Sequence, residues 1–155
     1  MSSSADALEL LLDNVNVSEM ADIPSPAEVK ARLPLSGTAA QTVLAGRARL
    51  RDILDRKDPR LFVVVGPCSV HDPKSALEYA RRLQALAAEL EDTLVLVMRV
   101  YFEKPRTSVG WKGYINDPAM DDSFRIDEGI VKARELLMQL AEMGLEEALR
   151  AYNTN

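Results

Sequence analysis

Two apolar runs that begin about thirty residues apart constrain this chain more than anything else in it. Leu61-Phe62-Val63-Val64-Val65 has no polar interruption, the pattern of a strand covered on both faces. Leu94-Val95-Leu96-Val97 is a second apolar run, opening a strand expected from Leu94 to Val100. Between them, Asp72 can cap a helix that has Pro73 at its first position. Ala76, Leu77, Ala80, Leu83, Leu86, Ala87 and Leu90 then fall on one stripe at helical spacing. Strand, helix and strand over this span make a βαβ unit, so the expected class is α/β with parallel strands.

The flanking segments read differently. Residues 1–38 are mixed: Leu8, Leu11 and Leu12 suit a short helix, and Asn14 to Val17 alternates like a brief strand. Pro24, Pro26 and Pro34 are expected to interrupt regular structure after that, leaving an extension wrapped on something larger. Thr38 to Lys57 fits a helix through Ala40, Val43, Leu44, Leu50, Ile53 and Leu54. Its Arg47, Arg49 and Arg51 form either a solvated, ion-paired face or a phosphate contact. A further amphipathic helix is expected from Asp127 to Met143, with Gly144 placed as its C-cap. The tail after Gly144 suits a short helix or a frayed end better than a strand. Two strands alone would leave two open sheet edges, too little covered surface for a stable α/β fold. The chain shows no internal repeat and no low-complexity segment.

Length and charge narrow the function. The 155 residues suffice for one domain. A net charge of −5 argues against a nucleic-acid partner or polybasic membrane attachment. One cysteine, no signal-peptide pattern and no long apolar segment point to the cytoplasm. Against this acidic background, Arg99, Lys104, Arg106 and Lys112 lie within fourteen residues, just past the second strand. The carboxyl ends of parallel strands are where ligands bind, so this stretch reads as an anion site. Arg99 supplies a planar fork suited to carboxylate or phosphate. Lys104 and Arg106, held apart by the stiff Pro105, could each take a separate anionic group. Thr107 adds a hydroxyl and a backbone N–H. Cys68, at the end of the first strand, is either a small buried hydrophobe or a metal ligand, with His71 three residues on as a weak second candidate.

Val-Gly-Pro-Cys-Ser-Val-His-Asp-Pro at 65–73, Met-Arg-Val-Tyr-Phe-Glu-Lys-Pro-Arg-Thr-Ser-Val-Gly-Trp-Lys-Gly at 98–113 and Ile-Asn-Asp-Pro at 115–118 closely resemble the type I 3-deoxy-D-arabino-heptulosonate 7-phosphate (DAHP) synthases. The likeness runs from about Asn14 to Leu145 and is most specific across 61–118. It implies a (β/α)8 TIM barrel that condenses phosphoenolpyruvate with erythrose 4-phosphate and releases phosphate, opening the shikimate pathway to aromatic amino acids. On that resemblance Cys68 ligates a divalent metal of the Mn, Fe, Co or Zn class. Arg99 and Lys104 hold phosphoenolpyruvate, Lys104 being the catalytic position, and Pro105, Arg106 and Thr107 receive the sugar phosphate. Residues 1–57 resemble the segment that shapes the homo-oligomer and the feedback site for an aromatic amino acid. Residues 58–145 match the first two βα units, a quarter of a barrel, and 146–155 diverge. The family's other metal ligands, a histidine, a glutamate and an aspartate, match nothing in this sequence. These 155 residues are therefore expected to bind no metal tightly and to be inactive alone. They would act as a truncated product or as a fragment that associates with a full-length synthase.

Overall fold

Ser25 opens the first helix. Its hydroxyl accepts from the Glu28 backbone N–H while the Glu28 carboxylate accepts from the Ser25 N–H at 2.7 Å, a reciprocal capping box. The computed structural model describes residues 22–104, 109–145 and 147–149; the helix expected near Leu8 and the strand at 14–17 lie outside them. Pro26 does not break the chain here. It occupies the first turn of helix α1 (Pro26–Arg32), where the N–H it lacks would have had no partner within the helix. Helix α2 (Gly37–Leu54) comes next, capped by Ser36. The Asp72 carboxylate accepts from the N–H groups of Lys74 and Ser75, so helix α3 (Pro73–Glu89) starts where its local signals put it. Helix α4 (Ile126–Glu142) ends before Gly144, whose φ of +77° suits glycine at that turn.

Strands β1 (Leu61–Val65) and β2 (Leu94–Val100) pair in parallel from Leu61 opposite Leu94 to Val65 opposite Met98. The described part of the tail is not helical. Residues Glu147–Leu149 form a short strand, β3, parallel to Met98–Val100, and the sheet order is β1-β2-β3. Leu-Glu-Glu-Ala-Leu favours a helix by composition, but the turn at Gly144 brings the chain back beside β2, whose edge N–H and C=O groups need partners. Tertiary pairing overrides local propensity.

The core lies under β2. Leu96, Met98 and Val100 meet Ala80 and Leu83 of α3 and Leu136 and Leu140 of α4. Val95 and Val97, on the other face, are buried too. Helix α2 packs against α4, and Arg134 Nε donates to the Leu33 carbonyl at 2.9 Å, tying the extension down. β1 departs from expectation. All five of its residues are exposed, Leu61 at 68% and Val64 at 47%. Its apolar run was expected to be covered on both faces, but among the described residues β1 is an edge strand with β2 on one side only, and α3 packs across β2. No helix among the described residues is long and apolar enough to cross a membrane.

Candidate functional site

The carboxyl ends of β1 and β2 are drawn together by glycine. A Cβ on Gly66 would lie 2.6 Å from the Arg99 carbonyl oxygen, so only glycine lets the end of β1 close against β2 at that level. Beyond it the Val70 N–H donates to the Tyr101 carbonyl at 2.7 Å, holding the intervening Pro67-Cys68-Ser69 turn beside the end of β2. Arg99 braces this turn from below. Its Nη1 donates to the carbonyl oxygens of Pro67 (2.6 Å) and Cys68 (2.7 Å), and the guanidinium carbon sits 4.9 Å from the centre of the Tyr101 ring. An anion taken by Arg99 must use the remaining N–H groups of the fork.

Lys104 reaches the same turn from the other side, its Nζ 3.4 Å from Cys68 Sγ. Cys68 is exposed and unbridged, so it is not the buried hydrophobe that was one of its two readings. Its thiol is held below the ordinary cysteine range, chiefly by the hydrogen bond from Lys104 and then by that ammonium's charge; Arg99 adds less, and desolvation opposes both. The result is a sulfur biased toward thiolate, flanked by two cations. That arrangement can bind an anion or donate a soft ligand to a metal.

The loop that carries Lys104 is itself paired. Glu103 and Gly113 form an antiparallel bridge, the Lys104 N–H donates to the Lys112 carbonyl at 2.9 Å, and the Tyr114 N–H donates to the Phe102 carbonyl. The Phe102 and Tyr114 rings stack at 6.1 Å. Gly113, at φ +119°, has no room for a side chain, since a Cβ would run into the Phe102 carbonyl oxygen.

Of the residues singled out from sequence, Cys68, Arg99 and Lys104 come together. Lys112 joins through its backbone. Pro105, Arg106 and Thr107 lie outside the described residues. His71 is exposed, and among the described residues no group of three or more His, Cys, Asp or Glu could hold a metal ion. The described residues do not by themselves make a metal centre around the Cys68 sulfur. Ser69 Oγ, buried next to Cys68, has no hydrogen-bond partner among the described residues, an uncommon condition for a buried hydroxyl. The bracing role of Arg99 was missed from sequence, because its acceptors are backbone carbonyls thirty-one and thirty-two residues away. The two glycines inside the motifs were the available signal for the close approaches.

Residues 14–148 match the DAHP synthetase I family. The chain is 53% identical over 144 residues to "Phospho-2-dehydro-3-deoxyheptonate aldolase, Tyr-sensitive" of Escherichia coli (strain K12), covering 93% of this chain and 40% of that protein. It is 50% identical to the Phe-sensitive protein of the same organism, over 88% of this chain and 39% of the relative. A third relative, from Amycolatopsis methanolica, is 49% identical and covered over 72% of its length. Among solved structures, a phospho-2-dehydro-3-deoxyheptonate aldolase from Francisella tularensis SCHU S4 superposes with a TM-score of 0.82 at 40% identity, over 88% of this chain and 40% of that one. The chain thus spans about 40% of the length of the first two relatives. With residues 14–148 matched by the family and a 49% identical relative covered over 72% of its length, the chain belongs to the DAHP synthetase I family.

Proposed function

We propose that this chain supplies the first strands and the phosphoenolpyruvate-side cations of a DAHP synthase, an enzyme that joins phosphoenolpyruvate to erythrose 4-phosphate and releases phosphate. The observation that carries the reading is the convergence of Arg99 and Lys104 on Cys68 at the carboxyl ends of β1 and β2. Both substrates are anions, and fixed cations at that place offset charge that would otherwise oppose their approach. Lys104 and the free part of the Arg99 fork hold phosphoenolpyruvate; Pro105, Arg106 and Thr107 receive the sugar phosphate. Holding the enol carbon and the aldehyde in contact supplies much of the acceleration.

In this reading β1, β2 and β3 are consecutive strands of a (β/α)8 barrel, supported by their parallel, sequential order. Cys68 is one ligand of a divalent metal whose other ligands come from outside the described residues. The Ser69 hydroxyl, without a partner among the described residues, and the exposed β1 support a site completed from outside the described residues. An aromatic amino acid as effector is part of the same proposal, supported by the Tyr-sensitive and Phe-sensitive names of two relatives, and a homo-oligomeric assembly is proposed on the family resemblance alone. Alone, the 155 residues should not turn over, since one metal donor and half a pocket do not make a catalytic centre.

A chimera tests this. Residues 1–145 joined to the remaining part of the E. coli Tyr-sensitive relative should release phosphate from phosphoenolpyruvate only when erythrose 4-phosphate and Mn²⁺ are present. Lys104→Met or Cys68→Ser in that chimera should lower turnover about a hundredfold or more. Turnover indifferent to both substitutions would overturn the assignment, as would robust turnover by the 155 residues alone.

A further inference from the structure

The Lys104 ammonium can meet the Cys68 sulfur only if the backbone that carries it is fixed, and that backbone leaves β2 for a loop. Its return limb, residues 109–113, is tied back through the Lys104–Lys112 and Phe102–Tyr114 hydrogen bonds. What holds the return limb is a second set of contacts further along. The Trp111 indole N–H donates to the Asp117 carbonyl at 2.7 Å, and its half-buried ring packs against the core. Asp117 is 1% exposed, although its side chain is a carboxylate. One carboxylate oxygen accepts from the Asp122 N–H at 3.2 Å and the other from the Asp121 N–H at 3.4 Å; its own N–H donates to the Gly113 carbonyl at 2.9 Å.

These bonds gather a loop with unfavourable backbone geometry. Met120, Asp122 and Phe124 all have positive φ, between 50° and 59°. Each is costly for a residue with a side chain and persists only where its surroundings hold it. The loop also runs against helix α4 so closely that a Cβ on Gly129 would meet the Ile115 carbonyl. A buried carboxylate is expensive unless hydrogen-bonded, and here its bonds go into fixing a turn.

We propose that Trp111 and Asp117 form a clasp that positions Lys104 over Cys68: the indole locks the return limb to Asp117, and the Asp117 carboxylate locks the loop that presents its carbonyl. Both are positioning residues, acting on the site through the Lys104 backbone. The clasp concerns where Lys104 and Cys68 lie and not the reaction, so its failure would leave the chimera's turnover test standing.

Trp111 is the sole tryptophan, so the 155-residue chain labelled with ¹⁵N has a single indole N–H resonance. In the unaltered chain, hydrogen exchange at that indole should be slow, in step with the Lys104 amide. Asp117→Asn puts an NH2 where one of the two accepting oxygens stood, facing one of the N–H groups of Asp121 and Asp122, and should speed exchange at the Trp111 indole and the Lys104 amide about fivefold or more while β2 amides stay protected. Trp111→Phe keeps an aromatic ring against the core and removes the donor. It should speed the Lys104 amide likewise, and lower the yield of a short amine–thiol cross-link between Lys104 and Cys68, mapped by mass spectrometry. Rapid indole exchange in the unaltered chain would overturn the clasp. So would unchanged Lys104 exchange and cross-linking in Trp111→Phe with β2 intact. If Asp117→Asn unfolds the chain, Trp111→Phe decides alone.

Discussion

β1 and β2 are nearly indistinguishable as sequence and opposite as structure. Leu61–Val65 is apolar throughout and Leu94–Val100 is apolar but for Arg99, yet β2 is buried along most of its length and β1 is exposed throughout. Apolar composition shows that a strand can be buried on both faces; its neighbours decide whether it is. β2 has a strand on each side and helices α3 and α4 beneath it, whereas among the described residues β1 pairs with β2 alone and touches α2 only slightly. The functional division falls along the same line. The buried strand delivers the cations, Arg99 directly and Lys104 just beyond its end, and the exposed strand delivers the turn that receives them.

The comparison is sharpest in stability. Met98→Ala, at a fully buried position of β2, should cost about 2–5 kcal/mol. Val64→Ala in β1 should cost less than about 1 kcal/mol. Urea unfolding of the two variants measures both, and equal losses would break the distinction between the strands. Gly113→Ala comes next: the new Cβ would collide with the backbone of Phe102 and Glu103 at a positive φ, for a loss of about 2 kcal/mol. The same titration should show it, together with loss of protection at the Tyr114 amide.

Smaller effects probe how the two strand ends act on each other. Lys104→Met removes the main cause of the low Cys68 thiol pKa, so the pH midpoint for alkylation of Cys68 should move up, toward the ordinary thiol value. An unmoved midpoint would mean that the cation from the end of β2 does not act on the sulfur. The smallest effect lies at the opposite end of the sheet. Arg60 pairs with Asp58 and donates Nη1 to the Glu91 carbonyl at 2.8 Å, joining the starts of β1 and β2. That guanidinium lowers the Asp58 carboxyl to about 2. A carboxyl whose pKa is lower in the folded chain stabilises it above the unfolded value, near 3.8, and that stabilisation is lost as pH falls toward 2. Asp58→Asn should therefore be slightly less stable at neutral pH and equal to the unaltered chain at the acid limit, as tracked by acid unfolding.

What could be read from sequence was mostly what is local. Asp72 and Pro73 fixed the start of α3, and Gly144 marked the end of α4, because caps act within a few residues. Ser25 and Glu28 carry an equally local signal, a capping box, masked by the reputation of Pro26 as a breaker. β3 was not legible, since its residues become a strand only by pairing with β2. The bracing of the thiol turn by Arg99 was hidden for the same reason. The meeting of Cys68 with Lys104, thirty-six residues apart, was suggested only by charge density near a strand end and by the family resemblance. Asp117 and Trp111 stood inside the motifs that carry the family resemblance but had no role of their own there, because a buried carboxylate is recognised only once its burial is known.

The most direct test of the whole account is the alkylation rate of Cys68 in the 155-residue chain as phosphoenolpyruvate is added. If the proposed phosphoenolpyruvate site lies at Arg99, Lys104 and the thiol turn, the anion should bind beside the sulfur, so the rate should fall with increasing phosphoenolpyruvate and cease to respond in Lys104→Met. A rate that ignores phosphoenolpyruvate in the unaltered chain, or falls equally in Lys104→Met, would contradict it.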